Sequence, residues 1–462
     1  MTIQNERIRE GATYVALTAL YFVAGQVGIW LAFGHPDAIT IWPSAGLALA
    51  AFLLLGNRVW PAIYAGAFLV SIVHGRGFVS SLFIATGNTW EGLIGAFLLQ
   101  RFANGPQAFD RARDVLRFTF HVALGSTLIG AAFTATTLSL SGAARWADYY
   151  DVWLAAWLSD ACGVFLVAPL ILLWAGATGV RWDTRRVIEG AVLAAFSVLA
   201  ALVVFGRLFP VYEVDYPLSF LPMPVFIWAA FRFDRRGAAM SVALVYLVAV
   251  FGTLRGYGPF AHFPRNHSLV YLQVFTCVSS VTALMLAAVV RERRQVEDQL
   301  RVLAVSDPLT GLANYGHLVD VLEGEVQRSL RTERQFAVLF MDMDGLKKVN
   351  DRYGHLIGSR ALVRIAEVLR SACRSIDTAA RYGGDEFALV LPESDEAAGQ
   401  LVAGRVAEML AADTRHPPVS VSTGIATYPK DGSTAEALVA AADRMLYAAK
   451  HRSRHPEGSL SG

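Results

Sequence analysis

Two short acidic clusters carry the residue types best suited to chemistry. Asp342 and Asp344 follow the apolar run Phe336-Ala-Val-Leu-Phe-Met341, and Asp385 and Glu386 follow Gly383-Gly384. In a strand, residues two apart point to the same face. A Gly-Gly pair between two strand patterns is a turn signal. Carboxylates brought together in this way can hold Mg²⁺, a hard ion that takes oxygen ligands and is usually completed by water and phosphates. A pair of such ions can activate a hydroxyl and stabilise a leaving group in phosphoryl transfer. Taken alone, either cluster favours a plainer reading as solvated acids in a surface turn.

The patterns around these acids alternate between strand and helix. The continuous apolar run at 336–341 reads as a buried strand, and so does Phe387-Ala-Leu-Val-Leu391. Val419-Ser-Val-Ser-Thr423 is a further strand. Leu362, Ile365, Ala366 and Leu369 repeat at helical spacing, and Val402, Val406, Met409 and Leu410 mark a second helix. Ser433-Thr-Ala-Glu436 has the form of a capping box before a helix carrying Leu438, Met445 and Leu446. The expected fold of this half is α+β, a sheet covered by helices.

The rest of the chain has another composition. Of the 462 residues, 55% are hydrophobic and 17% charged, whereas about a quarter are charged in ordinary soluble proteins. Long apolar runs fill roughly residues 12–290, charge is frequent after about residue 291, and the first lysine is Lys347. The chain therefore divides into a membrane half and a soluble half. The net charge of +2 selects no class of partner, and no nucleic acid is expected. Cys162, Cys277 and Cys373 are far apart in sequence, with neither metal spacing nor a disulfide framework, and read as buried thiols. The first apolar run is long and lacks a small-residue cleavage site, so it reads as an anchor.

A span needs about 20 apolar residues. Candidate spans lie near 12–33, 39–56, 59–75, 79–100, 118–140, 152–175, 188–209, 217–231, 237–254 and 268–290, with eight as the alternative count. With a cytoplasmic N-terminus, segments on the inner side before the last span carry thirteen arginines and the outer loops five. That excess follows the positive-inside rule and puts both termini on the cytoplasmic side of the membrane. Glu91, Asp160 and Glu189 fall in or near spans, where a carboxylate is costly. Glu91 and Asp160 are candidate sensing residues. A misdrawn boundary or a structural hydrogen bond is the other explanation. From 289 to 305, Val289, Val296 and Leu303 recur every seven residues, with Leu300 on the same side, as in a short coiled-coil or connecting helix.

Several motifs in order show a resemblance. Asp307-Pro-Leu-Thr-Gly-Leu-Ala-Asn314, Met341-Asp-Met-Asp-Gly-Leu-Lys-Lys-Val-Asn-Asp351, Tyr353-Gly-His355, Arg381-Tyr-Gly-Gly-Asp-Glu-Phe387, Ser422-Thr-Gly-Ile-Ala426 and Leu446-Tyr-Ala-Ala-Lys450 resemble the GGDEF family of diguanylate cyclases over about 300–456. Ile41-Trp-Pro-Ser-Ala-Gly-Leu-Ala-Leu49, Trp157-Leu-Ser-Asp-Ala-Cys-Gly163 and Ala168-Pro-Leu170 resemble the first class of the membrane-associated sensor domains known as MASE. The organisation implied is a polytopic helical sensor over 12–293, a linker over 289–305 and a palm-like α+β cyclase domain with a mostly antiparallel sheet.

The resemblance implies that a homodimer joins two GTP molecules into cyclic di-GMP and two pyrophosphates, with Mg²⁺ as cofactor and Mn²⁺ as its alternative. Asp342, Asp385, Glu386 and the Met343 carbonyl would hold metal, with Asp385, Glu386 and Lys347 serving catalysis. Gly383 and Gly384 would approach the nucleotide, Asn350 and Ser359 would meet guanine, and Lys450 and Arg454 would hold the terminal phosphates. Arg374 and Asp377, at the spacing of the family's inhibitory site, would bind product. Membrane lipid surrounds the sensor half. Ser359 departs from the family's usual Asp and can match only part of the guanine edge, which bears on GTP selectivity and affinity. Two alternatives remain: a weakened domain acting as a cyclic di-GMP receptor, and a transporter regulated by its cytoplasmic domain.

Overall fold

The computed structural model describes residues 2–32, 39–176, 183–206, 218–261 and 263–454 of the chain. They form two compact units, Met1–Arg294 and Gln295–Gly462.

The described part of the first unit is helical. Its helices are α1 (Thr2–Leu31), α2 (Pro43–Leu55), α3 (Trp60–Val73), α4 (Phe78–Phe102), α5 (Ala112–Arg117), α6 (Thr127–Leu140), α7 (Tyr149–Ala175), α8 (Thr184–Phe205), α9 (Met223–Leu254) and the first part of α10 (Arg265–Val305), whose last residues belong to the second unit. A π-helical stretch, Phe118–Ser126, joins α5 to α6. Among the described residues, seven helices are long and apolar enough to cross a membrane, and Pro43–Leu55 and Asn57–Val73 are shorter apolar helices. The expected spans near 217–231 and 237–254 fall on the two sides of a break in α9, where Asp234 has a φ of +65°.

Local chemistry explains several of these elements. Proline opens α2, where its missing N–H would have had no partner. The motif residues Gly46 and Gly163 let α2 and α7 touch. A Cβ at Gly46 would strike the Gly163 carbonyl, and one at Gly163 would strike the Trp42 carbonyl. Small residues that admit close backbone approach are the usual helix-pairing device in membranes. Trp157 is tied inside the bundle, its Nε1 donating to the Leu124 carbonyl at 2.9 Å and its ring stacked on Trp153. Cys162 and Cys277, distant in sequence, have their sulfurs 3.5 Å apart. Glu189 is ion-paired to Arg232 at 2.6 Å and to Arg185 at 3.1 Å.

At the break in α9, Arg235 pairs with Asp110, and Arg291 of α10 reaches Asp234 at 3.5 Å. Val289, Val296 and Leu300, three members of the expected heptad, lie within α10 and are exposed. The side chain of the fourth, Leu303, is outside the described residues.

The second unit continues with α11 (Tyr315–Thr332), β1 (Phe336–Met343), α12 (Leu346–Tyr353), α13 (His355–Ala372), β2 (Thr378–Gly383), β3 (Glu386–Leu391), α14 (Glu396–Ala411), β4 (Val421–Tyr428) and α15 (Ala435–Arg454). The sheet order is β2-β3-β1-β4, and every pairing is antiparallel. Helices cover both faces, which is why β1 is one continuous apolar run and does not alternate with polar residues. Ala337, Leu339, Met341 and Met343 join the core under α13 and α14. Phe336, Val338 and Phe340 join the core under α11 and α15. Full burial of each such phenylalanine contributes about 1.5–3 kcal/mol.

Two sequence expectations shift. The strand expected at 419–423 is β4 at 421–428. The cap of α15 is Thr434, whose hydroxyl accepts from the Ala437 amide at 3.2 Å, one residue beyond the expected Ser433.

Candidate active site at the strand ends of the C-terminal unit

The two-residue period of β1 decides where its acid points. Phe336, Val338 and Phe340 face α11 and α15, so Asp342, two residues further on, emerges on that same face. Across the sheet Asp342 is in register with Glu386 of β3 and Ser422 of β4. Helix α15 reaches these strand ends because Gly424 has no side chain, since a Cβ there would strike the Ala442 carbonyl and Leu446. The result is an ion pair between Lys450 of α15 and Asp342, 2.5 Å from Nζ to Oδ1.

The Gly-Gly signal is a hairpin turn. β2 and β3 pair through Gly383 and Glu386, leaving Gly384 and Asp385 at the tip. Gly384 has a φ of +48°, a conformation glycine adopts without strain. The Met343 amide donates to the Asp385 carbonyl at 3.0 Å, which fixes the turn against the end of β1. Arg381 braces it from behind. Its guanidinium donates to the Gly384 carbonyl at 2.7 Å and to Asp307 at 3.2 Å. Asp307 also accepts from the Thr310 amide and hydroxyl. The opening motif and the signature motif thus meet through Arg381.

Burial pushes the Asp307 carboxyl up, but Thr310 and Arg381 outweigh it and hold the group below the usual carboxylate range. Its stabilisation is therefore present above the unfolded-state pKa and is lost as pH falls through the folded-state value. Arg381→Ala should destabilise the second unit by about 2 kcal/mol at neutral pH, and by less in acid. Urea midpoints at two pH values check this, and an equal loss at both would contradict the linkage.

Burial also holds Asp342 above the usual range. Asp385 and Asp344 add to that shift, while Lys450 opposes it. Glu386 is raised by burial and by Asp342, Asp385 and Asp443, again against Lys450. Asp443 is a neighbour that sequence reasoning missed. It precedes Lys450 by seven residues on α15, so helical spacing was the available signal. Asp344 is held to one side, accepting from the Ser420 and Ser422 hydroxyls at 2.7 Å each.

Among the described residues, no three acidic, histidine or cysteine side chains converge as a metal cluster by themselves. The donor set nevertheless suits Mg²⁺, which takes one or two carboxylates and completes its shell with phosphate and water.

Asn350 is brought against α13 at another glycine, Gly358. A Cβ at Gly358 would overlap Asn350 Oδ1, so α12 and α13 pack with Asn350 beside the residue preceding Ser359. Lys347 is exposed in the first turn of α12. The Arg454 side chain lies outside the described residues. Arg374-Ser-Ile-Asp377 forms a tight turn in which the Arg374 amide donates to Asp377 Oδ2 at 2.7 Å. Among the described residues no ion pair joins the Arg374 guanidinium to Asp377, and Arg374 is exposed.

Comparison with known proteins fits this geometry. The MASE1 family matches residues 13–294, more than half of the chain, and the family described as "Diguanylate cyclase, GGDEF domain" matches residues 304–456. The chain is a MASE1–GGDEF protein.

Among its relatives is the bifunctional diguanylate cyclase/cyclic di-GMP phosphodiesterase MucR of Pseudomonas aeruginosa, 28% identical over 453 residues. That match takes in 96% of this chain but 59% of MucR, so the chain spans less than two thirds of that relative. The diguanylate cyclase DgcP of the same organism is 38% identical over 163 residues, 34% of this chain and 24% of DgcP.

Among solved structures, a sensory box/GGDEF family protein from Caulobacter crescentus is 41% identical, with a TM-score of 0.31. The match covers 32% of this chain and 98% of that one. The coiled coil and GGDEF domain of DgcB from Caulobacter crescentus, in complex with c-di-GMP, is 26% identical with a TM-score of 0.33, covering 36% and 90%. As a MASE1–GGDEF protein, with its set of long apolar helices, the chain is a membrane protein.

Proposed function

We propose that this MASE1–GGDEF protein is an inner-membrane diguanylate cyclase, with both termini in the cytoplasm, that condenses two GTP into cyclic di-GMP and two pyrophosphates. The observation that carries the proposal is the hairpin that sets Asp385 and Glu386 beside Asp342, with Lys450 reaching over from α15. The names of its relatives support the reading.

Asp342, Asp385, Glu386 and the Met343 carbonyl would hold Mg²⁺, or Mn²⁺ in its place. That ion, when bound, neutralises triphosphate charge and activates the attacking hydroxyl. The chain's own residues position the nucleotide. Gly383 and Gly384 have open space where side chains would project, so a ligand can lie against the turn. Lys450 shifts between its carboxylate partner and phosphate oxygens. Lys347, Arg454 and the N-terminal amides of α12 add positive charge to the triphosphate side. Asn350 and Ser359 receive the guanine edge.

One domain binds one GTP, so two copies must face each other for each 3′-hydroxyl to reach the partner's α-phosphate. Catalysis is then mainly positioning and charge stabilisation. The exposed Val289, Val296 and Leu300 on α10 give a second copy an apolar stripe to pair with.

The test is incubation of the purified full-length protein with GTP and Mg²⁺, with product identified by mass spectrometry and ATP run in parallel. Cyclic di-GMP is expected from GTP. Ser359, shorter and uncharged, supports a second reading as a weak cyclase that serves chiefly as a cyclic di-GMP receptor. Tight product binding without turnover would select it.

Under the cyclase reading, Arg374 and Asp377 bind product and slow the enzyme. The exposed Arg374 guanidinium is available for a bidentate grip on phosphate or guanine. Arg374→Ala should raise the product concentration needed for half-inhibition by about tenfold or more, leaving the initial rate unchanged. An unchanged inhibition curve would remove the site.

A further inference from the structure

We infer that the membrane unit holds a small cation between Glu91 of α4 and Asp160 of α7, with the Tyr21 hydroxyl of α1 as a third oxygen. Both acids are buried, at 4% and 6% exposure. They converge on one place. A Cβ added at Gly130 of α6 would strike the Glu91 carboxylate and lie 3.4 Å from Asp160 Oδ2. The bare backbone at Gly130 therefore makes the room in which the two carboxylates sit.

The surroundings do not balance their charge. Among the described residues neither acid has a basic partner, and Glu91 Oε1 has no hydrogen-bond partner. Tyr21 is fully buried. Its hydroxyl faces both acids from a third helix, with the Trp42 and Asn88 side chains at hydrogen-bonding reach, and among the described residues it makes no hydrogen bond of good geometry. The nearby Thr89 hydroxyl is committed to the Ala85 carbonyl at 2.7 Å. Three helices thus bring polar oxygen atoms to one buried region, and two of them, Glu91 Oε1 and the Tyr21 hydroxyl, lack a well-formed hydrogen bond among the described residues.

Carboxylates inside a membrane persist where they pair or mark an ion pathway, and removing a partner from a buried charge is strongly unfavourable. Among the described residues no side chain supplies a positive partner, so a counter-charge would enter from outside the chain. An all-oxygen set of donors selects a hard cation over a soft transition metal. Among the described residues no third histidine, cysteine or acid joins the pair. The site therefore suits one positive charge with few protein ligands: an alkali ion, or the head of an alkylammonium. One such charge, with one carboxyl proton, leaves the pair neutral.

This gives the sensor half a ligand class. It rests on the membrane unit alone, so it stands or falls separately from the cyclase reading. The test uses the full chain in lipid nanodiscs, without nucleotide, titrated at fixed pH with sodium, potassium or methylammonium chloride. The readouts are the thermal unfolding midpoint and calorimetric binding. A saturable rise in midpoint is expected with at least one of the three, and comparison of the inorganic and organic arms identifies the source of the charge.

Glu91→Gln and Asp160→Asn should each weaken the apparent affinity about 10- to 100-fold, and Tyr21→Phe by less. If Glu91→Gln does not fold, Asp160→Asn and Tyr21→Phe carry the comparison. Saturable binding that survives both acid substitutions overturns the proposal. So does a midpoint that responds to pH alone and to none of the three cations, which would assign the pair to a shared proton.

Discussion

Asp385→Ala is expected to lower cyclic di-GMP formation by about 10³-fold while leaving the second unit folded. The size follows from what the carboxylate does and from where it sits. At the tip of the β2–β3 hairpin, it is half-buried and in no core cluster. The turn itself is held by main-chain contacts, since the Asp385 carbonyl accepts from Met343 and the Gly384 carbonyl from Arg381. Alanine preserves both carbonyls, so the hairpin persists. Under the cyclase reading, the metal that would neutralise the phosphates loses one of its few carboxylate ligands, and preorganised electrostatic groups of this kind are worth about 10²–10³ in rate each. Initial rates with GTP and Mg²⁺, set beside urea midpoints of both proteins, separate the two effects. A variant that retains most of its rate would show that Asp342 and Glu386 suffice, and would remove Asp385 from the metal site.

Much of this site was legible because its parts are local. An apolar run followed by an acid fixes a strand end, and two-residue periodicity carries Asp342 to the face that α15 covers. Gly383-Gly384 before two acids reads as a turn, and a turn it is. What could not be read were distances between segments far apart in sequence. The Arg381 bridge from Asp307 to the Gly384 carbonyl spans 74 residues at one end and three at the other. Its arginine was visible only as a letter in a motif. The same holds for Asp443, whose relevance depends on Gly424 admitting α15 so closely.

In the membrane half, hydropathy marked where helices run but not how they meet. The break at Asp234 joins two apolar stretches that hydropathy separates into spans. Gly46 and Gly163 were visible only as letters in motifs and Gly130 lay outside any motif, yet each sits where another helix or a buried carboxylate occupies the space of a side chain. Glu91 and Asp160 were notable singly as acids among apolar residues. Their convergence depends on α4, α6 and α7 packing together.

The second large effect concerns Lys450. Its ammonium pairs with Asp342 and, under the cyclase reading, would meet the triphosphate, so Lys450→Met should reduce kcat/KM by about 10²-fold. A lysine that served only the fold would not move kcat/KM once stability was restored at low temperature. The stability consequence has a definite sign. Burial already holds Asp342 above the usual carboxylate range, and Lys450 is the group that opposes the shift. Without the ammonium the carboxyl rises further. A carboxyl raised in the folded state favours folding below its unfolded-state pKa, and that contribution is lost as pH rises through the folded-state value. The variant should therefore match the parent in acid and fall progressively below it toward neutral pH, when both are measured in chelator. Added Mg²⁺ should narrow the gap, because a bound cation replaces the missing charge beside Asp342. A gap that stays constant across pH would mean that the Lys450–Asp342 contact contributes packing and not charge. The lysine's part in the chemistry would then rest on the rate measurement alone.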